Sequence, residues 1–166
     1  SPLRIHLLQS IARGEKMDWI LQKATELGVS AFTPMVSDRT EVKLDNERSD
    51  RKLSHWQGVI RSACEQSGRA ILPEVSPPIS INQMNGAVKR EQAYYLDPEA
   101  MEGINGLDPD RTVGLTLAIG PEGGFSDAER SLLHTLPFVT AIPLGPRILR
   151  ADTAAVAALA VVQAVL

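Results

Sequence analysis

The sequence has 166 residues, 43% of them hydrophobic and 22% charged, which provides enough apolar side chains for the core of one ordinary globular domain. Its formal net charge of −3 excludes a global polycation. The single cysteine, Cys64, excludes an internal disulfide and a multi-cysteine zinc site, and the widely separated histidines show no ligand spacing, so we expect no metal site.

The first half of the chain predicts two strands and two helices. Apolar residues at helical spacing and β-rich runs give strands at residues 3–8 and 29–36, helices at 15–27 and 51–66, and a polar loop at 38–50. Gly28 is expected to end the first helix in a left-handed conformation. Pro34 indicates an edge position or a bulge in the second strand.

The second half predicts an alternation of strands and helices. The pattern gives strands at 71–75, 93–96, 113–119 and 139–144, and helices at 79–90, 126–136 and 151–166. Ser126 and Glu129 form a capping-box signature at one helix start. Together these elements predict an α/β fold, a mostly parallel sheet flanked by helices, in which ligands bind beyond the carboxyl ends of the strands.

Three loops fall at those strand ends, at residues 96–98, 120–124 and 145–150. The second follows a buried strand and precedes a capped helix, in the run L-A-I-G-P-E-G-G-F-S at 117–126. Glycine permits positive φ and close backbone approach, and loop N–H groups can bind a ligand. Neither a Walker loop nor a G-x-G-x-x-G fingerprint is present. A plain tight turn explains this segment about as well as a binding loop.

The third loop lies in the run L-G-P-R-I-L-R-A-D-T-A at 144–154. Arginines at a helix start are electrostatically misplaced, which predicts a partner for Arg150. That partner is either a carboxylate, Asp152 or Glu122, or an RNA phosphate. Near the end of the second helix, Arg69 is a further candidate phosphate contact, although ordinary capping explains its neighbours equally well.

Four ordered segments resemble one known family. I-G-P-E-G-G at 119–124, L-G-P-R-I-L-R at 144–150, the run at 17–29 and E-Q-S-G-R at 65–69 are similar to the RsmE-type 16S ribosomal RNA uridine-N3 methyltransferases of the SPOUT superfamily. The resemblance covers essentially all of residues 1–166. It implies a single SPOUT domain with a C-terminal trefoil knot, a homodimer, and S-adenosylmethionine bound between the three loops. Members of the family also carry an N-terminal β-barrel that helps to bind RNA, and we expect this chain to lack it.

The resemblance also implies residue roles. The expected cofactor-binding residues are Leu96, Asp97, Pro98, Ile119, Gly120, Pro121, Glu122, Gly123, Gly124, Leu144, Gly145, Ile148, Leu149, Arg150 and Thr153. Arg150 is the candidate to stabilise uridinate oxygens or a target phosphate, and Glu122 and Asp152 are candidate bases or supports for Arg150. Asp152 stands where the family usually has Glu. The candidate RNA contacts are Arg39, Arg69 and Arg147.

The partner predicted on this basis is the 16S rRNA of the small ribosomal subunit. Residues 1–70 hold 11 Lys/Arg and 9 Asp/Glu, whereas residues 71–166 hold 6 and 11, so we expect RNA to contact the first half or a local patch. Scattered solvated charges are the simpler explanation of this asymmetry alone. The apolar segment 154–166 is too short to span a bilayer. We therefore expect no membrane contact and a cytoplasmic location.

Two alternatives stay open at this point. One is a non-catalytic RNA- or nucleotide-binding module of the same fold, which the intact glycine loops disfavour. The other is an α/β enzyme that uses a different nucleotide, which the missing Walker and dinucleotide signatures disfavour.

Overall fold

The computed structural model describes residues 3–42, 45–88, 92–101 and 113–165. In chain order the elements are β1 (Ile5–Ser10), α1 (Glu15–Glu26), β2 (Ala31–Val36), α2 (Asn46–Ser67), β3 (Glu74–Val75), β4 (Ile79–Ser80), a 3-10 turn (Ile81–Gln83), α3 (Met84–Ala87), β5 (Gln92–Leu96), β6 (Leu115–Ile119), α4 (Asp127–Thr135), β7 (Val139–Ile142) and α5 (Ala151–Val165). The predicted α/β alternation is confirmed.

The strands form one sheet in the order β3-β2-β1-β6-β5-β7, with β4 also paired to β2. Each described pair is parallel. All five residues of β6 are buried, because β6 has a strand on each side and helices over both faces. The parallel arrangement brings the carboxyl ends of β1, β5 and β6 to one edge of the sheet.

The two faces of the sheet pack against different helices. Side chains alternate along β1, so that Leu7 joins one apolar cluster and Leu8 the other. The first cluster contains residues of α1, α2 and α5, including the fully buried Trp56. The second contains Met84 of α3 and Leu133 of α4. Cys64 is buried in the first cluster, where it packs as a small apolar residue.

Helix α2 begins earlier than predicted. The segment 38–50 was expected to be a loop, but α2 already starts at Asn46, where the Asp45 carboxylate accepts a hydrogen bond from the Arg48 N–H at 2.8 Å. This cap is the reason the helix can start there. The first turn is polar and mostly exposed, so hydrophobic periodicity carries no signal for it.

The predicted helix at 79–90 is wrong in its first half. The chain there forms strand β4, a 3-10 turn and one turn of α3, and predicted helix residues Lys89 and Arg90 lie outside the described residues, as does Leu166 of the last helix. The strand predicted at 71–75 shrinks to β3, and Ile71 and Leu72 are exposed.

Pro34 lies in an inner strand, not at an edge or a bulge. Its partner on β1 is Gln9. On the other side it falls between Phe32, which pairs with β3, and Met35, which pairs with β4. The neighbouring strand is interrupted at that point, so the missing proline N–H leaves no ladder hydrogen bond unmade.

Candidate active site

The three predicted loops converge on one cleft at the carboxyl ends of β5, β6 and β7. The cavity has a volume of about 480 Å³, within the range of small-molecule sites. Its lining includes Arg39, Leu96, Asp97, Pro98, Ile119, Gly120, Pro121, Glu122, Gly123, Gly124, Phe125, Arg130, Leu144, Arg147, Ile148 and Leu149. Of the residues singled out from the sequence, Gly145, Arg150, Asp152 and Thr153 lie next to this lining without forming part of it.

The loop after β6, residues 120–126, is shaped by two glycines with different roles. Gly124 has φ +70°, and its N–H donates to the Pro121 carbonyl at 2.8 Å, so the loop makes a tight turn that disfavours other residues. Gly120 lies against Phe125: a Cβ there would meet the ring at 3.3 Å. Phe125 is itself buried in the second apolar cluster, which fixes the loop to the core.

Two basic side chains from the first half of the molecule hold this loop from outside. The Arg39 guanidinium donates to the Gly123 carbonyl, and the Lys16 ammonium donates to the Glu122 carboxylate. The hydrogen bond and charge of Lys16, reinforced by the charge of Arg150, lower the pKa of Glu122 below its usual range. Glu122 is therefore an ionised partner for cations and a weak proton acceptor.

Lys16 was not predicted from the sequence. It is 106 positions from Glu122. The available signal was topological, because Lys16 follows β1 and the carboxyl end of β1 lies beside that of β6.

The loop after β7, residues 143–150, is held mainly at its two ends. Leu144 and Leu149 pack against the first apolar cluster. Between them Gly145 has φ +83°, Arg147 is exposed, and Ile148 exposes 84% of its surface. Within the described ranges the structure assigns no hydrogen bond to residues 143–149 themselves.

The two charged residues that follow this loop do not pair with each other. The Asp152 carboxylate accepts a hydrogen bond from the Thr153 N–H at 2.9 Å, at the start of α5. No described carboxylate lies within 4.0 Å of the Arg150 guanidinium. The ion pair to Asp152 or Glu122 that the sequence suggested is thus not formed, although Arg150 is close enough to lower the pKa of Glu122.

The loop after β5 contains a buried carboxylate that fixes its shape. Asp97 is 6% exposed, accepts a hydrogen bond from the Glu99 N–H at 2.9 Å, and donates its own N–H to the Ile142 carbonyl at 3.0 Å. Arg130 of α4 pairs with Glu99 at 3.0 Å. Burial, with the charge of Asp97, raises the pKa of the neighbouring Tyr95 to about 12. Tyr95 and Arg130 line the cleft and were not predicted.

The comparisons with known proteins agree with this geometry. The sequence matches the family described as RNA methyltransferase domain over residues 1–163. The chain belongs to this RNA methyltransferase family. The ribosomal RNA small subunit methyltransferase E of Buchnera aphidicola subsp. Schizaphis graminum is 37% identical, over 98% of this chain and 66% of that protein. The resemblance predicted from the four motifs is confirmed.

Two solved structures of similar proteins contain the cofactor. A putative methyltransferase from Legionella pneumophila, in complex with SAM, is 40% identical with a TM-score of 0.92 and covers 99% of this chain and 67% of that one. The ribosomal RNA small subunit methyltransferase E of Neisseria gonorrhoeae, bound to S-adenosylmethionine, is 35% identical with a TM-score of 0.89 over the same shares, 99% and 67%. This chain spans slightly less than two thirds, 66%, of the Buchnera relative's length.

The three arginines predicted to bind RNA are placed differently. Arg39 and Arg147 line the cleft of this methyltransferase domain. Arg69 instead donates from one guanidinium nitrogen to the carbonyls of Thr25 and Val29, at 2.7 and 2.9 Å. That nitrogen fixes the turn between α1 and β2. An RNA contact by Arg69 stays a prediction, and the other guanidinium nitrogens would have to make it.

The described part of this methyltransferase domain lacks two structural features. In the described ranges, no three or more His, Cys, Asp or Glu side chains are grouped as metal ligands would be. No described helix is long and apolar enough to cross a membrane.

Proposed function

We propose that this chain is the catalytic domain of an S-adenosylmethionine-dependent methyltransferase that acts on N3 of a uridine in the 16S rRNA of the small ribosomal subunit. One observation carries the proposal: three loops from separate strand ends form a single cleft lined mostly by glycine, proline and apolar residues. The names and bound cofactor of the similar proteins support it. They favour it over a non-catalytic binding module of the same fold.

The cleft has the chemistry that a bent sulfonium nucleoside requires. Its volume of about 480 Å³ suits a ligand of that size. Glycines at 120 and 124 keep side chains out of the loop, and nothing lies within 4 Å of where a Gly124 Cβ would stand. Leu96, Ile119 and Leu149 offer apolar contacts to an adenine ring. The cofactor, when bound, supplies the methyl group and the electrophilic centre.

The residues around the cleft have separable roles in this reaction. Uracil N3 carries a proton at neutral pH, so the protein must favour the anionic base. Arg150, which has none of the described carboxylates within 4.0 Å of its guanidinium, is the group we assign to the developing charge on the uridine oxygens. Glu122, which Lys16 holds ionised, supplies a negative charge near Arg150 and does not take the proton. Asp152 remains the candidate proton acceptor.

The substrate is expected to approach from the side of the cleft where basic groups are exposed. Arg39 and Arg147 lie in its wall and are assigned to the RNA backbone, with Arg69 as a more distant contact. The target base must leave its stack to reach the methyl group. The proposed location is the cytoplasm, where ribosomal subunits are found.

The finer architecture is also proposed from the resemblance. β7 lies outside β5 in the sheet, whereas α5 packs against α1, where Gln163 donates to the Leu27 carbonyl at 2.9 Å. Between residues 143 and 150 the chain therefore passes back from the β7 edge of the sheet to the face covered by α1. This return path supports the proposed trefoil knot. We further propose that residues 1–166 form one SPOUT domain and that it works as a homodimer. An experimental structure of the protein tests the knot, the single domain and the dimer.

The function is tested by incubating the protein with labelled S-adenosylmethionine and small ribosomal subunits. We expect label in 16S rRNA, and nucleoside analysis should identify 3-methyluridine. Cofactor binding without transfer would support the non-catalytic module. Absence of cofactor binding by calorimetry would contradict the proposal altogether.

A further inference from the structure

Glu129 has an environment that its position in a capping box does not explain. The side chain is only 3% exposed, and within the described residues it forms no ion pair. A buried carboxylate without a cation is costly unless hydrogen bonds satisfy both oxygens. The hydrogen bonds of Glu129 therefore indicate its structural role.

Its two oxygens bind backbone groups from two distant segments. Oε2 accepts a hydrogen bond from the Ser126 N–H at 2.8 Å, which is the ordinary capping-box contact. Oε1 accepts one from the Asp38 N–H at 2.7 Å, across 91 positions of sequence. Ser126 adds a parallel link, because its Oγ donates to the Asp38 carboxylate at 2.6 Å. Helix α4 is thereby joined to the loop after β2.

That loop carries the arginine that holds the glycine loop. Arg39 follows Asp38 directly, donates to the Gly123 carbonyl, and lines the cleft. The loop is also internally tied, since the Thr40 N–H donates to the Ser37 carbonyl at 2.9 Å and the Ser37 N–H to the Thr40 Oγ1 at 3.0 Å. A rigid turn fixed at Asp38 therefore fixes the origin of the Arg39 side chain.

We propose that Glu129 is a positioning residue for cofactor binding: by holding the Asp38 N–H it aims Arg39 at Gly123 and so fixes the glycine loop in its ligand-ready shape. Glu129 itself lies in the capping turn and acts through Arg39. The inference rests on the proposed function of the cleft. It adds a residue that neither glycine motif contains.

The substitution Glu129→Gln tests this role because it keeps the size but not the chemistry. The two N–H donors face different oxygens of the carboxylate, so in Gln the amide oxygen can face only one of them and the NH₂ group faces the second donor. We expect the affinity for S-adenosylmethionine, measured by calorimetry, to fall about tenfold, as for loss of a hydrogen bond to a charged group. The matched control is Glu47→Gln, which alters an exposed carboxylate paired with Arg51 on α2. It should leave the affinity unchanged.

A double-mutant cycle with Arg39→Ala separates positioning from a general loss of stability. If Glu129 acts through Arg39, Glu129→Gln should lower the affinity little further once Arg39 is absent. Additive losses would overturn the proposal, as would wild-type affinity in Glu129→Gln. Should Glu129→Gln fail to fold, Ser126→Ala removes the parallel link to Asp38 together with the Oγ that accepts the Glu129 N–H at the helix start. It should lower the affinity in the same direction, and an unchanged affinity in that variant would overturn the proposal.

Amide hydrogen exchange keeps this test distinct from that of the proposed function. Faster exchange at residues 37–40 and 123–126 in Glu129→Gln is expected whether or not any cofactor binds. If the wild-type protein does not bind S-adenosylmethionine, the proposed function fails. If it does bind, and exchange in the two segments is unchanged by the substitution, only the role of Glu129 fails.

Discussion

The loops after β6 and β7 face the same cleft but are built differently. The loop at 120–126 is held on several sides, by Phe125 in the core, by Arg39 at the Gly123 carbonyl and by Lys16 at Glu122. The loop at 143–150 is anchored at its ends by leucines and is exposed between them. One wall is thus organised before a ligand arrives, as tight binding of a small cofactor requires. The other presents exposed groups, and we assign their partners to the substrate.

The largest expected effect concerns the exposed loop after β7, residues 143–150. Arg150→Ala should lower the rate of methyl transfer about a hundredfold or more, because it removes the charge assigned to the uridine oxygens. The affinity for S-adenosylmethionine should change little, since no part of the arginine side chain lines the cavity. Single-turnover transfer to ribosomal subunits and calorimetry measure the two quantities. Arg61→Ala, on the exposed face of α2, is the control. Near-normal transfer by Arg150→Ala would contradict the different roles assigned to the two loops.

The next effect concerns the loop after β6, residues 120–126. Gly124→Val places a β-branched residue at φ +70°, with its Cβ directed into open space, and such a conformation costs about 1–3 kcal/mol. We expect the affinity for S-adenosylmethionine to fall about tenfold or more, measured by calorimetry. Gly58→Val is the matched control, because Gly58 has an ordinary φ in α2 and nothing within 4 Å of its Cβ position. Unchanged affinity would contradict the assignment of this loop.

The smallest effect sharpens the role of Glu122. Because Lys16 is the main cause of its lowered pKa, Lys16→Met should raise that pKa toward the ordinary value. In the wild-type protein the ion pair between Lys16 and Glu122 is fully present above the usual pH range of carboxyl titration, and it is lost only as the pH falls through the lowered pKa of Glu122. In the variant, Glu122 begins to take up its proton at a higher pH. An NMR titration of the Glu122 carboxyl carbon measures this shift directly.

The same Lys16→Met variant should weaken cofactor binding only a few-fold, since the contact is exposed. Lys23→Met is the control, because Lys23 pairs with Glu26 on the surface of α1. If the Glu122 titration were identical in Lys16→Met and in the wild-type protein, the ion pair would not form in solution, and the loop after β6 would be held by Arg39 and Phe125 without Lys16.

The sequence predicted the parts of this molecule that repeat or alternate, together with its glycine motifs. The buried β6 and the capping box of Ser126 and Glu129 were confirmed because each has a local signature. The start of α2 was missed because its first turn is polar and exposed, and β4 because two residues are too few for a pattern.

The site was predictable only where the chain itself carried a motif. The cleft was found from its loops, whereas Lys16, Tyr95 and Arg130 were missed, because their roles depend on which strand ends become neighbours. The second contact of Glu129, with Asp38, was beyond reach for the same reason: 91 positions separate the two residues, and only the folded sheet brings them together.

The interrupted strand beside Pro34 has a consequence for assembly. β3 and β4 are two residues each, and Pro77 and Pro78 lie between them. Short strands and prolines leave few free N–H and C=O groups in line, so this rim is a poor template for a strand from another molecule. Self-association by extending the sheet is therefore discouraged on this side, and the homodimer proposed above would have to form through helices or through the opposite rim at β7.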